Sequence, residues 1–255
     1  MNSSAIFVLW QRDMIRFFRQ KSRIVGALAQ PILFWFFIGS GLDQSFRAGA
    51  TGYQEYFFPG VVGMIVLFTS IFSTMSVIDD RQAGFLQVVL VAPCSRLSVV
   101  LGKTLGGVTI ALVQAGLFLL LGHFIGFALE RIHWPMLGVF LFALSLALTS
   151  LGFAFAWWLD STQAYHSIMF VLLIPAWILS GAMFPPAQTT PWLSRVVACN
   201  PLSYSQEGIR RALYGGILPQ GLGLNGSSMC MELLVSLVFA GLALSLAVFA
   251  ASRRK

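Results

Sequence analysis

Six of the intervals between charged residues in this 255-residue chain are long enough, or nearly so, to carry a helix across a bilayer. Between Arg23 and Asp43 lie 19 uncharged residues, between Glu55 and Asp79 lie 23, and between Lys103 and Glu130 lie 26. Arg131 to Asp160 encloses 28, Asp160 to Arg195 encloses 34, and Glu232 to Arg253 encloses 20. A hydrocarbon core of about 30 Å needs about 20 apolar residues of helix. The intervals therefore predict spans at 24–42, 57–78, 104–127, 134–159, 164–184 and 232–252. Two further uncharged intervals fail the test. Gln82–Ser95 has 14 residues and carries Pro93, and Ala212–Met231 holds five glycines, Pro219 and the run Asn225-Gly226-Ser227-Ser228. Gly-rich backbone exposed to lipid is not tolerated.

The composition agrees. Hydrophobic residues make up 57% of the chain and charged residues 10%, where a soluble domain has roughly 45–50% and about 25%. A disordered chain is excluded, and a single soluble globule would have too few charges to cover its surface. The net charge of +7 does not point to nucleic acid as a partner. The basic residues cluster near the two ends and read as orientation signals facing anionic lipid heads.

Six spans put both termini on one side. The arm to Arg23 carries five Lys and Arg, the loop after the second span three (Arg81, Arg96, Lys103) and the tail three (Arg253, Arg254, Lys255). The other side carries five: Arg47, Arg131, Arg195, Arg210 and Arg211. Eleven against five predicts cytoplasmic termini. The first apolar run, Ala5–Trp10, is too short for a cleavable signal peptide.

Within the arm, residues 1–23, Arg12, Arg16, Arg19 and Arg23 are spaced i, i+4, i+7, i+11. They fall within about 60° on a helix. Phe7, Trp10, Met14 and Phe17 fall opposite. A basic stripe facing away from Trp and Phe predicts an amphipathic helix lying in the membrane interface, in contact with lipid.

Catalytic and metal chemistry is not expected. No H-E-x-x-H occurs, and Gly39-Ser40-Gly41 lacks the glycine that a G-x-S-x-G elbow needs. Gly102-Lys103-Thr104 resembles the end of a phosphate-binding loop, but Leu97 stands where its first glycine belongs, so Lys103 reads as a cap on the third span. His123, His133 and His166 lie near span ends and read as interfacial side chains. Cys94, Cys199 and Cys230 read as small apolar fillers. A Cys199–Cys230 disulfide would require both to face an oxidising compartment. Mid-span polar residues are confined to uncharged ones such as Gln114, Ser145 and Thr149. Ion-coupled carriers usually place charge there, so any energy for transport is expected from outside the chain.

Two segments carry a family resemblance. Asp79–Arg96, DDRQAGFLQVVLVAPCSR, is a short uncharged stretch bracketed by charge and stopped by Pro93. It resembles the segment after the second span in permeases of the ABC-2 type, the membrane subunits of ABC exporters. Asp80-Arg81, Gly84, Leu86, Val89-Leu90, Pro93 and Ser95-Arg96 match in order, with Phe85, Gln87 and Ala92 departing from the family's Thr, Glu and Thr. Gly84 serves either a close approach or a special backbone angle. The second segment, Met183–Arg211, is similar to the family's segment after the fifth span. Pro185, Pro191-Trp192-Leu193, Asn200-Pro201-Leu202, Tyr204 and Arg210 line up. Pro191 and Pro201 suit the first turns of two short helices, with Thr190 and Asn200 as N-caps. Trp192 and Tyr204 suit an aromatic belt. Gln30-Pro31 and Gly39–Asp43 look most like the drug-export branch named for daunorubicin resistance.

The resemblance implies an all-α, polytopic fold made of one transmembrane domain, 1–255. It has an interfacial arm, six transmembrane helices, a cytoplasmic coupling helix within 79–96 and short outer-leaflet helices within 185–228. It implies a permease of the bacterial inner membrane that exports an amphiphilic or hydrophobic cargo. It further implies two copies of a separate ABC ATPase, which hold the ATP and Mg, and a second permease, identical or not. Docking of the ATPase on 79–96 would seat apolar residues such as Leu86 in a groove of that subunit. The rival readings are a self-sufficient channel or secondary transporter, disfavoured by the uncharged spans, and an intramembrane enzyme, disfavoured by the missing motifs.

Overall fold

Long apolar runs with few helix breakers should give long helices, because in lipid each backbone polar group must be satisfied within its own segment. The computed structural model describes residues 3–42, 47–48, 51–91, 94–124, 129–218, 223–224 and 227–253. Its helices are α1 (Ser3–Arg19), α2 (Lys21–Leu42), α3 (Tyr53–Thr74), α4 (Ser76–Gln82), α5 (Phe85–Val91) and α6 (Arg96–Phe124). Then follow α7 (Trp134–Trp158), α8 (Thr162–Trp177), α9 (Pro191–Cys199), α10 (Pro201–Leu213) and α11 (Met229–Arg253). A two-residue antiparallel ladder, β1 (Arg47–Ala48) with β2 (Thr51–Gly52), precedes α3. Among the described residues, six stretches are long and apolar enough to cross a membrane: Ile24–Leu42, Tyr53–Gln82, Arg96–Gly122, Trp134–Trp158, Thr162–Ala182 and Met229–Arg253. The chain is thus an all-α, multi-pass membrane protein with six spans.

The expected spans 57–78 and 104–127 began too late. α3 starts at Tyr53, with exposed Glu55 in its first turn, and α6 at Arg96, where Arg96 and Lys103 are matched by partners rather than left to lipid. Pro93 and residues 125–127 lie outside the described residues.

α3 is the trunk of the bundle. From Tyr56 to Ile71 each of its residues is buried, and it is packed by α2, α6, α7, α8 and α10. Small residues permit this closeness. A Cβ on Gly60 would sit 2.5 Å from the Ala182 carbonyl oxygen. Aromatic rings fill the space between trunk and neighbours, with Phe58 stacked on Phe118 at 4.9 Å and Trp35 edge-on to both.

Charged residues cap helix ends. Arg81 donates to the carbonyls of Ala156, Trp157 and Leu159 at the end of α7. Arg96 does the same for Ala251 and Ser252 at the end of α11. Cations at C-terminal carbonyls also oppose the helix dipole. The bundle therefore has an arm end, with α1, α4, α5 and these capped termini, and a far end, with the ladder, α9 and α10.

Candidate functional site

At the arm end, α1 lies against α6. Leu9, Asp13 and Phe17, spaced i, i+4, i+8, are its buried face. A Cβ on Gly102 would come within 2.9 Å of Leu9, and one on Gly106 within 3.3 Å of Asp13. Gly102 therefore serves helix contact rather than phosphate. Trp10 donates its indole N–H to Thr109 at 3.0 Å. The outward apolar strip is Phe7, Val8, Ile15 and Phe18. The expected apolar face was wrong in Phe17, which faces inward, and the expected stripe breaks, because α1 ends at Arg19 and Arg23 belongs to α2.

The stripe's first two arginines also turn inward. Arg12 makes a bidentate contact to Asp80, at 2.8 and 2.7 Å. Arg16 donates to Asp80 at 2.9 Å and to Asp79 at 3.3 Å. Lys103, inside α6, donates to Asp13 at 2.8 Å and to Asp80 at 2.5 Å. Hydrogen bonding to Asp80 raises the Arg12 guanidinium above its ordinary value. Burial pushes the Asp13 carboxyl up, against the pull of Lys103. Sequence reading missed Asp13 and took Lys103 for a cap. The available signals were one acid inside a basic stripe and one lysine flanked by small residues.

The segment 79–96 is not one helix. α4 and α5 meet at Gly84, whose φ of +73° only glycine adopts readily, with no atom near enough to meet a Cβ. The special angle, not close approach, explains this glycine. Leu86 is 4% exposed and packs inside the chain's own core, so the expectation that it seats in a partner's groove is overturned. Val88 and Val91 point outward, 69% and 88% exposed, while Val89 packs against the core. Leu90 lies in α5. Asp80, Arg81 and Arg96, which the resemblance assigns to the coupling segment, hold α1, α7 and α11.

At the far end α8 runs through Pro175 into a wide turn, Ile178–Ala182, where Gly181 adopts φ +74°. Side chains of α10 and its cap take up the carbonyls this turn releases. Asn200, which caps α10 by accepting from the Leu202 N–H, donates to Ala176, and Arg210 donates to Gly181 at 2.7 Å. Pro59 cannot donate to the Glu55 carbonyl, and the Tyr214 hydroxyl does so at 3.3 Å. Gln206 donates to the Pro59 carbonyl at 2.6 Å.

Arg210 is fully buried, 3.1 Å from Glu207 and over the Tyr56 ring at 4.5 Å. Arg211 pairs with Glu232 of α11 at 2.6 Å. Burial pushes the Glu207 carboxyl up, opposed by Arg210. Pro185 is buried, Trp192 is exposed, and Pro191 and Pro201 open α9 and α10 as expected. Thr190 sits at the N-cap without a side-chain bond, and Tyr204 donates to Ala198. Cys94, Cys199 and Cys230 are free thiols.

Between the two ends the polar contacts are neutral. Thr69 donates to Gln114, Thr149 to Ser70, and Ser145 to the Phe142 carbonyl. His133 caps α7 and His166 packs against Phe72 and Phe170. The His123 side chain lies outside the described residues.

Comparison with known proteins accounts for this arrangement. The chain is 29% identical to ycf38 of Cyanophora paradoxa, named as a transport permease, over 80% of this chain and 72% of that one. It is 26% identical to nodulation protein J of Neorhizobium galegae, over 89% of this chain and 87% of that one. It is 22% identical to the daunorubicin resistance ABC transporter permease protein DrrB1 of Streptomyces coeruleorubidus, over 96% and 86%. A family model for the ABC-2 type transporter matches residues 4–214, which take in the arm, the arm-end charges, the Glu207–Arg210 pair and five of the six spans, and the chain belongs to that family.

Proposed function

We propose that the chain is the transmembrane half of an ATP-driven exporter, docked to an ABC ATPase through α5. The observation that carries this reading is the pair Val88 and Val91. They stand out from a seven-residue helix too short to span, and ion pairs and caps fix α4 beside it. Burying each valine would contribute about 1.5–3 kcal/mol, which suits a small, well-held docking point.

On this reading the arm end is cytoplasmic, which the eleven-to-five split of Lys and Arg supports. ATP and Mg belong to the ATPase, present in two copies. A second permease, identical or not, completes the pathway in a bacterial inner membrane. The uncharged spans, rich in Phe and Leu, favour an amphiphilic or hydrophobic cargo, in keeping with the drug-resistance name of one relative.

The test is capture of the ATPase subunit by the tagged chain in detergent. Val91→Asp should cut capture at least about tenfold, since each 1.4 kcal/mol is a factor of ten. Full capture by Val91→Asp at normal membrane level would remove α5 from the docking role.

A further inference from the structure

We propose that Lys103 is a positioning residue that makes the arm and the docking segment move as one body, because its ammonium joins Asp13 of α1 to Asp80 of α4. The inference rests on the docking reading of α5 and deepens it.

Six charges meet at this junction, three of each sign: Arg12, Arg16 and Lys103 against Asp13, Asp79 and Asp80. Asp80 accepts from all three cations and is itself buried, as are Lys103 and Asp13. Exposed ion pairs are weak because water competes for both partners. Here water is largely shut out, and losing one member strands a charge in a dry place. Such a junction stays closed or breaks; it does not yield by degrees.

The connections run in a line. The Arg12 guanidinium lies 3.8 Å over the ring of Phe85, the first residue of α5. The same guanidinium holds Asp80, and Asp80 holds Lys103. Lys103 sits two turns inside α6, a 29-residue helix that runs the depth of the bundle. A push on Val88 or Val91 thus reaches both the arm and a spanning helix. Gly84 lies between α4 and α5 with open space around it, so the backbone there adds no side-chain contact, and α5 is tied to the cluster through Phe85 and to the core through Leu86 and Val89.

The test uses the full chain in lipid nanodiscs, with Cys94, Cys199 and Cys230 replaced by alanine or serine. Spin labels are placed at Val8→Cys on α1 and Val88→Cys on α5, both exposed. Pulsed electron resonance then reads the distance between them, with no ATPase and no cargo present. One narrow distance peak is expected in the parent and in Lys103→Arg, and its loss in Lys103→Met. Adding Asp13→Asn to Lys103→Met removes the stranded carboxylate without restoring the joint, so the distribution should stay broad, and a narrow peak recovered by that addition would also overturn the proposal. Superimposable distributions for the parent and Lys103→Met would overturn the proposal, as would equal broadening in Lys103→Arg. Capture of the ATPase by Val91→Asp bears on docking alone, so the two readings fail separately.

Discussion

Replacing Arg210 with Met should destabilise the protein by about 3–5 kcal/mol, the cost of removing one partner from a buried ion pair. Met keeps much of the apolar bulk, so the loss is electrostatic. Glu207 is left 1% exposed, with the Leu224 N–H at 3.0 Å as its remaining hydrogen bond among the described residues and Arg211 as the remaining nearby cation. Arg210→Met with Glu207→Gln removes both charges together. What remains missing is the Arg210 donor to Gly181, worth at most about 1.5–3 kcal/mol as a charged hydrogen bond, since the same carbonyl keeps the Tyr56 hydroxyl at 2.6 Å. The double variant should therefore be more stable than Arg210→Met alone, although it carries one more substitution. Acid should also rescue the single variant. Burial already holds the Glu207 carboxyl above its ordinary value. Between the unfolded and folded pKa the folded state binds more protons, so stability falls as pH rises through that window and recovers as pH falls. The assay is SDS titration in mixed micelles on the parent, both single variants and the double, at two pH values. A double variant weaker than Arg210→Met by the full cost of Glu207→Gln would refute the reasoning.

Leu86→Asp should lower membrane level and melting temperature, because it puts a carboxylate into the core. Val91→Asp should leave both unchanged, and equal melting curves for the two in detergent would contradict the inward placement of Leu86. Gly60→Ala should cost about 1–3 kcal/mol by overpacking against the Ala182 carbonyl. Gly116→Ala, where a Cβ meets nothing within 4 Å, should be neutral or slightly stabilising in the same melting assay. Reporter fusions after Lys255 should be active only when the reporter is one that works in the cytoplasm. Activity of an outer-side reporter at that position would reverse the assigned orientation.

The span count was legible because charge is excluded from lipid whatever the packing, and six uncharged intervals became six spans. The helix starts were less legible. A charge ends an interval on paper, but Lys103 sits inside α6 because Asp13 and Asp80 reach it, and such pairing across 23 and 90 residues leaves no local mark. The outward direction of α5 was illegible for a related reason. Leu86, Val88 and Val91 are alike in hydropathy, and only the turn set by Gly84 and the core beneath decides which one is covered. At the far end the Pro and Asn positions announced two short helices through local capping chemistry. The resemblance marked Arg210, but its burial against Glu207 gave no such notice, because two charges one turn apart read equally well as a solvated face.

The reach of α10 back to α3 has a consequence for how the protein is made. The trunk helix is synthesised early, yet Gln206, which adds a side-chain donor to its Pro59 carbonyl, comes 147 positions later. The donor for its Glu55 carbonyl, Tyr214, comes 159 positions later. At about 5–20 residues per second of synthesis, α3 waits roughly 7–30 s for those partners. During that interval the Glu55 carbonyl, opposite Pro59, lacks a donor that lipid can supply. It must remain near the headgroup water or borrow a partner from the insertion machinery. The second span is thus among the first to be written and among the last to settle, and a chain cut before residue 201 should hold it at the membrane surface rather than at full depth.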